Sequence, residues 1–195
     1  MSILAQLYHP HLNRLRAIHT RLRDHLYRYL RTQEPSVLSA VQRDAGGDTQ
    51  YRIDAEMERL LLDLCREWAR EVPFVLIAEG LAEDGWYPLP EGSPMEEAEF
   101  LLIIDPIDGT RPLMYDKRSA WILSGIAPNF GKETTLEHIG IAVQTELPTT
   151  RQYLAYQLWA VKGQRAHAER HDMLTGAVQS VRLQPSRAGT LQHGF

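Results

Sequence analysis

Residues 100–110 read FLLIIDPIDGT, five apolar residues that run straight into two aspartates, a glycine and a threonine. A short apolar run bounded by turn residues predicts a strand buried on both faces. The first polar residue after it, Asp105, then emerges at the sheet's end and needs a partner or a metal. Pro106 has no N–H to continue a ladder, so it turns the chain and brings Asp108 back beside Asp105. Neighbouring carboxylates repel, and one keeps its proton unless a hard, oxygen-liganded cation removes the conflict; Mg2+ suits this best. Gly109 and Thr110 add backbone N–H groups at a helix start, where a phosphate oxygen is readily accepted. Metal and anion together point to phosphoryl transfer or hydrolysis. Taken alone, Asp105 and Asp108 could equally be a turn and a helix cap. The apolar strand, the proline and the Gly-Thr pair favour chemistry.

Upstream, Leu4, Leu7, Leu12, Leu15, Ile18, Leu22, Leu26 and Leu30 recur at helical spacing, which predicts an amphipathic helix with Pro10 marking its true first turn. Its arginines, Arg14, Arg16, Arg21, Arg23, Arg28 and Arg31, read as a solvated outer face rather than a membrane-binding one. Residues 32–52 suggest a short element and a loop. Ile53, Met57, Leu60, Leu61, Leu64 and Trp68 then mark a second helix, with Asp54 at its positive end and Pro73 beyond its end. About six strands follow, at 74–78, 100–104, 120–127, 138–146, 153–161 and 177–184. Residues 81–99 read as a Pro-, Gly- and acid-rich loop of the kind that borders sites. Two helices before a run of strands predict an α+β fold, with helices packed on a largely antiparallel sheet.

Composition narrows the function further. A formal charge of -4 and a pI near 6.1 give no basic surface for a nucleic acid polymer. Cys65, the single cysteine, rules out an internal disulfide and suits a reducing compartment. No signal layout or bilayer-length apolar run is evident, so the expectation is a cytoplasmic protein with no membrane partner. The histidines of HAERH, residues 167–171, have i, i+4 spacing, but the glutamate is misplaced for the zinc-protease motifs. That segment reads as an exposed polar turn. The haloacid dehalogenase-like pattern Asp-x-Asp-Gly-Thr sets its two acids two apart; here they are three apart, which disfavours a covalent aspartyl-phosphate route.

With DPIDGT, a glutamate (Glu79) ending the strand FVLIA and an aspartate (Asp54) opening the second helix, the sequence resembles the inositol monophosphatase-like family of metal-dependent sugar phosphatases. The resemblance runs from the first helix to about residue 185. It implies a layered α/β sandwich of the sugar-phosphatase type and hydrolysis of a phosphate monoester on a small polyol, sugar or nucleotide. It further implies that Glu79, Asp105, Asp108 and the Ile107 carbonyl ligate Mg2+, Asp105 bridging two ions. Thr110 would orient the attacking water and Asp54 would accept its hydrogen bond, while Gly109 and Thr110 receive the phosphate. The partner implied is a small phosphorylated metabolite; oligomeric state is left open, since the family often forms homodimers but an unpaired sheet edge in a shortened chain would equally promote aggregation. Two departures stand out: Gly80 occupies the place of a second glutamate, and no Trp-Asp motif follows, Trp159 being succeeded by Ala160. The expectation is therefore a metal-binding domain at 1–185, with 186–195 a tail or the start of a missing C-terminal half. The alternative is a shortened relative that binds metal or a phosphorylated ligand without turnover.

Overall fold

The computed structural model describes residues 3–38, 40–45, 48–78, 81, 85–184, 186 and 189–190. Helix α1, Ile3–Thr32, carries Pro10 inside it. The helix therefore continues N-terminal to Pro10, which was expected to lie in its first turn; a proline costs one i→i−4 bond there without stopping the helix. A short helix α2, Pro35–Leu38, and a hairpin of β1, Val41–Ala45, and β2, Asp48–Tyr51, occupy the stretch read as an element and a loop. Helix α3 spans Arg52–Ala69 and buries the face predicted for it, including Ile53, Met57, Leu61, Leu64 and Trp68.

The remaining strands are β3, Phe74–Ile77; β4, Tyr87–Leu89; β5, Phe100–Asp108; β6, Ala120–Pro128; β7, Ile141–Leu147; β8, Leu154–Val161; β9, His167–Asp172; and β10, Val178–Val181. They form one sheet in the order β10-β9-β8-β7-β6-β5-β3-β4. Every pairing is antiparallel except β3 with β5. The α+β class with a largely antiparallel sheet is what the chain adopts. The parallel pair is fixed from one end: Phe74 and Phe100 are register partners, their rings stack 5.0 Å apart, and Trp68 of α3 lies 5.1 Å from each.

Helices α1 and α3 cover one face of the sheet. Leu102 and Ile104 of β5 and Ile122 and Ile126 of β6 point into that core with Leu15, Leu22 and Leu26 of α1. The other face is more open than a strand buried on both sides would allow, since Ile103 is 38% and Leu123 37% exposed. That corrects the expectation for the 100–104 run at its C-terminal end, where helices lie on one side alone.

Two further expectations fail for the same reason, tertiary partners acting where apolar patterning is weak. HAERH is not a turn but strand β9, with Ala168 buried, Glu169 paired to Arg16 of α1, and His167 stacked on Trp159 at 5.6 Å. The arginine face of α1 is likewise not all solvated: Arg23 is buried and Arg16 lies 3.5 Å over the Trp159 ring. The loop 81–99 contains β4 and a 3-10 turn, Met95–Glu97. Between α1 and the sheet, fully buried His19 meets Ser124 Oγ at 2.7 Å and Thr145 Oγ1 at 3.0 Å, and burial lowers its pKa to about 3. Among the described residues, no helix is long and apolar enough to cross a membrane.

Candidate active site

In a regular strand, residues three apart point to opposite faces. Asp105 and Asp108 escape that rule because β5 is bulged between them. Asp105 pairs with Leu123 and Asp108 with Trp121, so three steps along β5 oppose two along β6. Leu123 and Trp121 share a face of β6, and the extra β5 residue therefore returns both carboxylates to one face. Pro106 sits in that bulge, where a missing N–H costs no ladder bond. Both aspartates are exposed on the side away from the helices, and the Asp105 Oδ1 accepts the Ile107 N–H at 2.9 Å.

Gly109 follows with φ of 100°, a left-handed conformation that favours glycine, and turns the chain into the short helix α4, Thr110–Met114. A Cβ at Gly109 would lie 3.5 Å from the Ala120 Cβ, an ordinary contact, so conformation rather than space demands the glycine. The turn delivers Thr110 to the N-terminus of α3. Its Oγ1 lies 2.8 Å from Asp54 Oδ1 and 3.1 Å from the Ile107 carbonyl oxygen. A hydroxyl has one proton, and it donates to the nearer, charged acceptor, leaving the oxygen's lone pairs to receive a bond from water. Asp54 Oδ2 meanwhile accepts the Tyr51 N–H at 2.9 Å. One carboxylate thus holds the start of α3 and the hydroxyl of α4.

The electrostatics are unfavourable by construction. Burial raises the Asp105 pKa; the Ile107 N–H opposes the rise, and the charges of Asp108 and Asp54 add to it. Among the described residues, neither Asp105 nor Asp108 makes an ion pair. An all-oxygen donor set whose members repel one another fits a hard divalent cation, with Asp105, Asp108 and the Ile107 carbonyl as its donors. Among the described residues, however, no group of three or more His, Cys, Asp or Glu side chains is arranged to hold a metal. Glu79, the fourth expected ligand, and Gly80 lie outside the described residues; β3 leads toward them, its Ile77 opposite Ile103 of β5.

Two participants were not foreseen from the sequence. Tyr51 supplies the N–H to Asp54, and its hydroxyl accepts the Arg111 Nε at 2.8 Å. The only available signal was position, Tyr51 just before α3 and Arg111 just after Thr110.

No protein-family model matches the sequence, and no curated protein sequence does. Solved structures do. The chain is similar to Leishmania major fructose-1,6-bisphosphatase in its holo form, with a TM-score of 0.63 at 13% identity, covering 86% of this chain and 51% of that one. It is also similar to a Toxoplasma gondii protein assigned as a sedoheptulose-1,7 bisphosphatase, with a TM-score of 0.57 at 14% identity, covering 84% and 52% respectively. The fold is thus the one seen in these solved phosphatase structures. The chain spans about half the length of these structures.

Proposed function

We propose that this chain carries the metal-binding, water-orienting part of a Mg2+-dependent phosphate monoester hydrolase acting on a small phosphorylated polyol, sugar or nucleotide. The observation that supports it most is the Thr110 to Asp54 hydrogen bond, made across 56 residues beside the two same-face carboxylates of the β5 bulge. A turn and helix cap alone would not require those two features to adjoin.

In this reading, Asp105, Asp108, the Ile107 carbonyl and Glu79 would hold Mg2+. When bound, the ion supplies neutralisation of phosphoryl charge and acidification of water. The chain's own residues do the rest. Asp54 accepts the hydrogen bond donated by the Thr110 hydroxyl, which leaves the hydroxyl oxygen as an acceptor that orients an attacking water. Amides of the first turn of α4, from Gly109 and Thr110, have no intrahelical partners and receive phosphoryl oxygens. No phospho-enzyme forms, because no side chain at the site is set as a nucleophile in this scheme.

A second reading is binding of a metal or a phosphorylated ligand without turnover. One experiment separates them. Phosphate release is measured with and without Mg2+ over a panel of sugar, inositol and nucleotide phosphates, with calorimetry of the same ligands. Mg2+-dependent release that Asp108→Asn abolishes supports hydrolysis; binding without release supports the second reading; neither result overturns both.

A further inference from the structure

Helix α1 meets the outer strands through polar side chains, where a helix lying on a sheet ordinarily packs apolar ones. Arg16 donates from Nε to Gln157 Oε1 at 2.9 Å and from Nη2 to Glu169 Oε2 at 2.5 Å. Further along, the Tyr27 hydroxyl donates to the Gln152 carbonyl at 3.2 Å. Numbers thus rise along α1 while they fall along β8 and the turn before it, so α1 runs antiparallel to β8 and parallel to β9. Arg23, about two turns beyond Arg16 on the same face, is carried in the direction that leads from Glu169 to His171.

Both side chains are deep in this seam, Arg23 being 4% and His171 13% exposed. Arg23 bonds Asp24 Oδ1 through Nε at 2.9 Å and Nη2 at 2.8 Å. His171 Nε2 stands 3.6 Å from Glu169 Oε2, beyond hydrogen-bond reach. Arg23 Nη1 and His171 Nε2 are left buried with no hydrogen-bond partner, the two side-chain atoms so placed among the described residues. A buried donor without an acceptor bears its full desolvation cost, and a charged one bears more.

The neighbouring charges decide what suits these two nitrogens. A guanidinium can only donate, so Arg23 Nη1 needs an acceptor. Its counter-charge, Asp24, is 44% exposed and screened by water, while Glu169 is taken by Arg16, so the buried centre is net positive. Burial first and Arg23 next lower the His171 pKa, Arg16 adding to them and Glu169 and Asp24 opposing. Its register partners, Ala155 of β8 and Val178 of β10, carry no charge. A water oxygen would satisfy Arg23 and leave the excess charge in place. An anion accepts from Arg23 and from a protonated His171 and neutralises that charge. Neither nitrogen is open to solvent, which disfavours a phosphate ester or other metabolite and favours an ion of one atom.

We infer that Arg23 and His171 form a halide site between α1 and β9, which takes chloride and clamps the outer strands to the helix. It lies on the helix-covered face of the sheet, opposite that of Asp105 and Asp108, and does not depend on the phosphatase reading.

The test is thermal unfolding at constant ionic strength, with sodium gluconate replaced stepwise by sodium chloride or bromide at about pH 6. The Tm of the native chain should rise saturably, by about 3–6 °C when the halide reaches about ten times its Kd. The rise should shrink at higher pH, because the ion binds together with a proton on His171. Arg23→Met and His171→Phe should abolish it. Arg21→Met, which removes an equal charge from an exposed position of α1, should keep it. Anomalous diffraction from bromide-soaked crystals of the native chain needs no variant to fold, and it should place a bromide within hydrogen-bond reach of Arg23 Nη1 and His171 Nε2. Water alone at that place, a Tm that does not respond to halide, or an equal rise in Arg23→Met overturns the inference.

Discussion

The contact between Thr110 and Asp54 joins the two halves of the candidate site, and it can be measured apart from any activity. Thr110→Val keeps the side chain's shape and branching and deletes only the hydroxyl. The bond it removes is 2.8 Å long and ends on a carboxylate. Hydrogen bonds to charged groups contribute about 1.5–3 kcal/mol, and because Thr110 is half-exposed and water can replace the lost donor, the lower end, about 1.5 kcal/mol, applies. Asp54→Ala removes the same bond and also the acceptor of the Tyr51 N–H and the acid at the start of α3, so it costs more. The double variant loses the shared bond only once. Its destabilisation should therefore fall short of the sum of the singles by about 1.5 kcal/mol, or roughly 3–6 °C in Tm for a chain of this size. Urea and thermal unfolding of the four proteins measure that cycle. Additivity to within about 0.5 kcal/mol would refute the pairing and, with it, the orientation of the hydroxyl.

Three other outcomes are expected. If a phosphorylated substrate is turned over, Thr110→Val should lower kcat on the order of 100-fold with KM little changed, because it misorients water rather than weakening binding. Gly109→Ala should cost about 1–2 kcal/mol in urea unfolding, from the left-handed backbone rather than from a clash. The His19 pKa, depressed by burial to about 3, makes the folded chain bind fewer protons than the unfolded chain between about pH 3 and 6.5. Its contribution is fully present above about pH 6.5 and is lost as pH falls, at up to about 1.4 kcal/mol per pH unit; across that window the native chain should lose stability more steeply than His19→Gln, by up to that amount, the slope common to both coming from carboxylates.

The helices and most central strands could be read from the sequence because their burial is written as apolar residues at a helical period or in unbroken runs, as in α3 and in FLLII. What escaped was held by partners distant in sequence. Strand β9 has a polar sequence and is kept by Arg16 of α1 and by Trp159. Strand β4 hides in a proline-rich segment because its pairing with β3 is what orders it. At the site, the DPIDGT spacing pointed to two neighbouring acids, but it could not give the cause of their common face, since a bulge is a count of residues against the partner strand. Nor could it give Tyr51 or Arg111, whose roles arise only when α3 and α4 meet.

The central claim is that the acids crowded at the β5 bulge hold a divalent cation. Isothermal titration of Mg2+ into the native chain and into Asp105→Asn tests it most directly. Saturable uptake at millimolar or lower concentration by the native chain, lost in the variant, is the result predicted. No uptake by the native chain, or equal uptake by the variant, would contradict it.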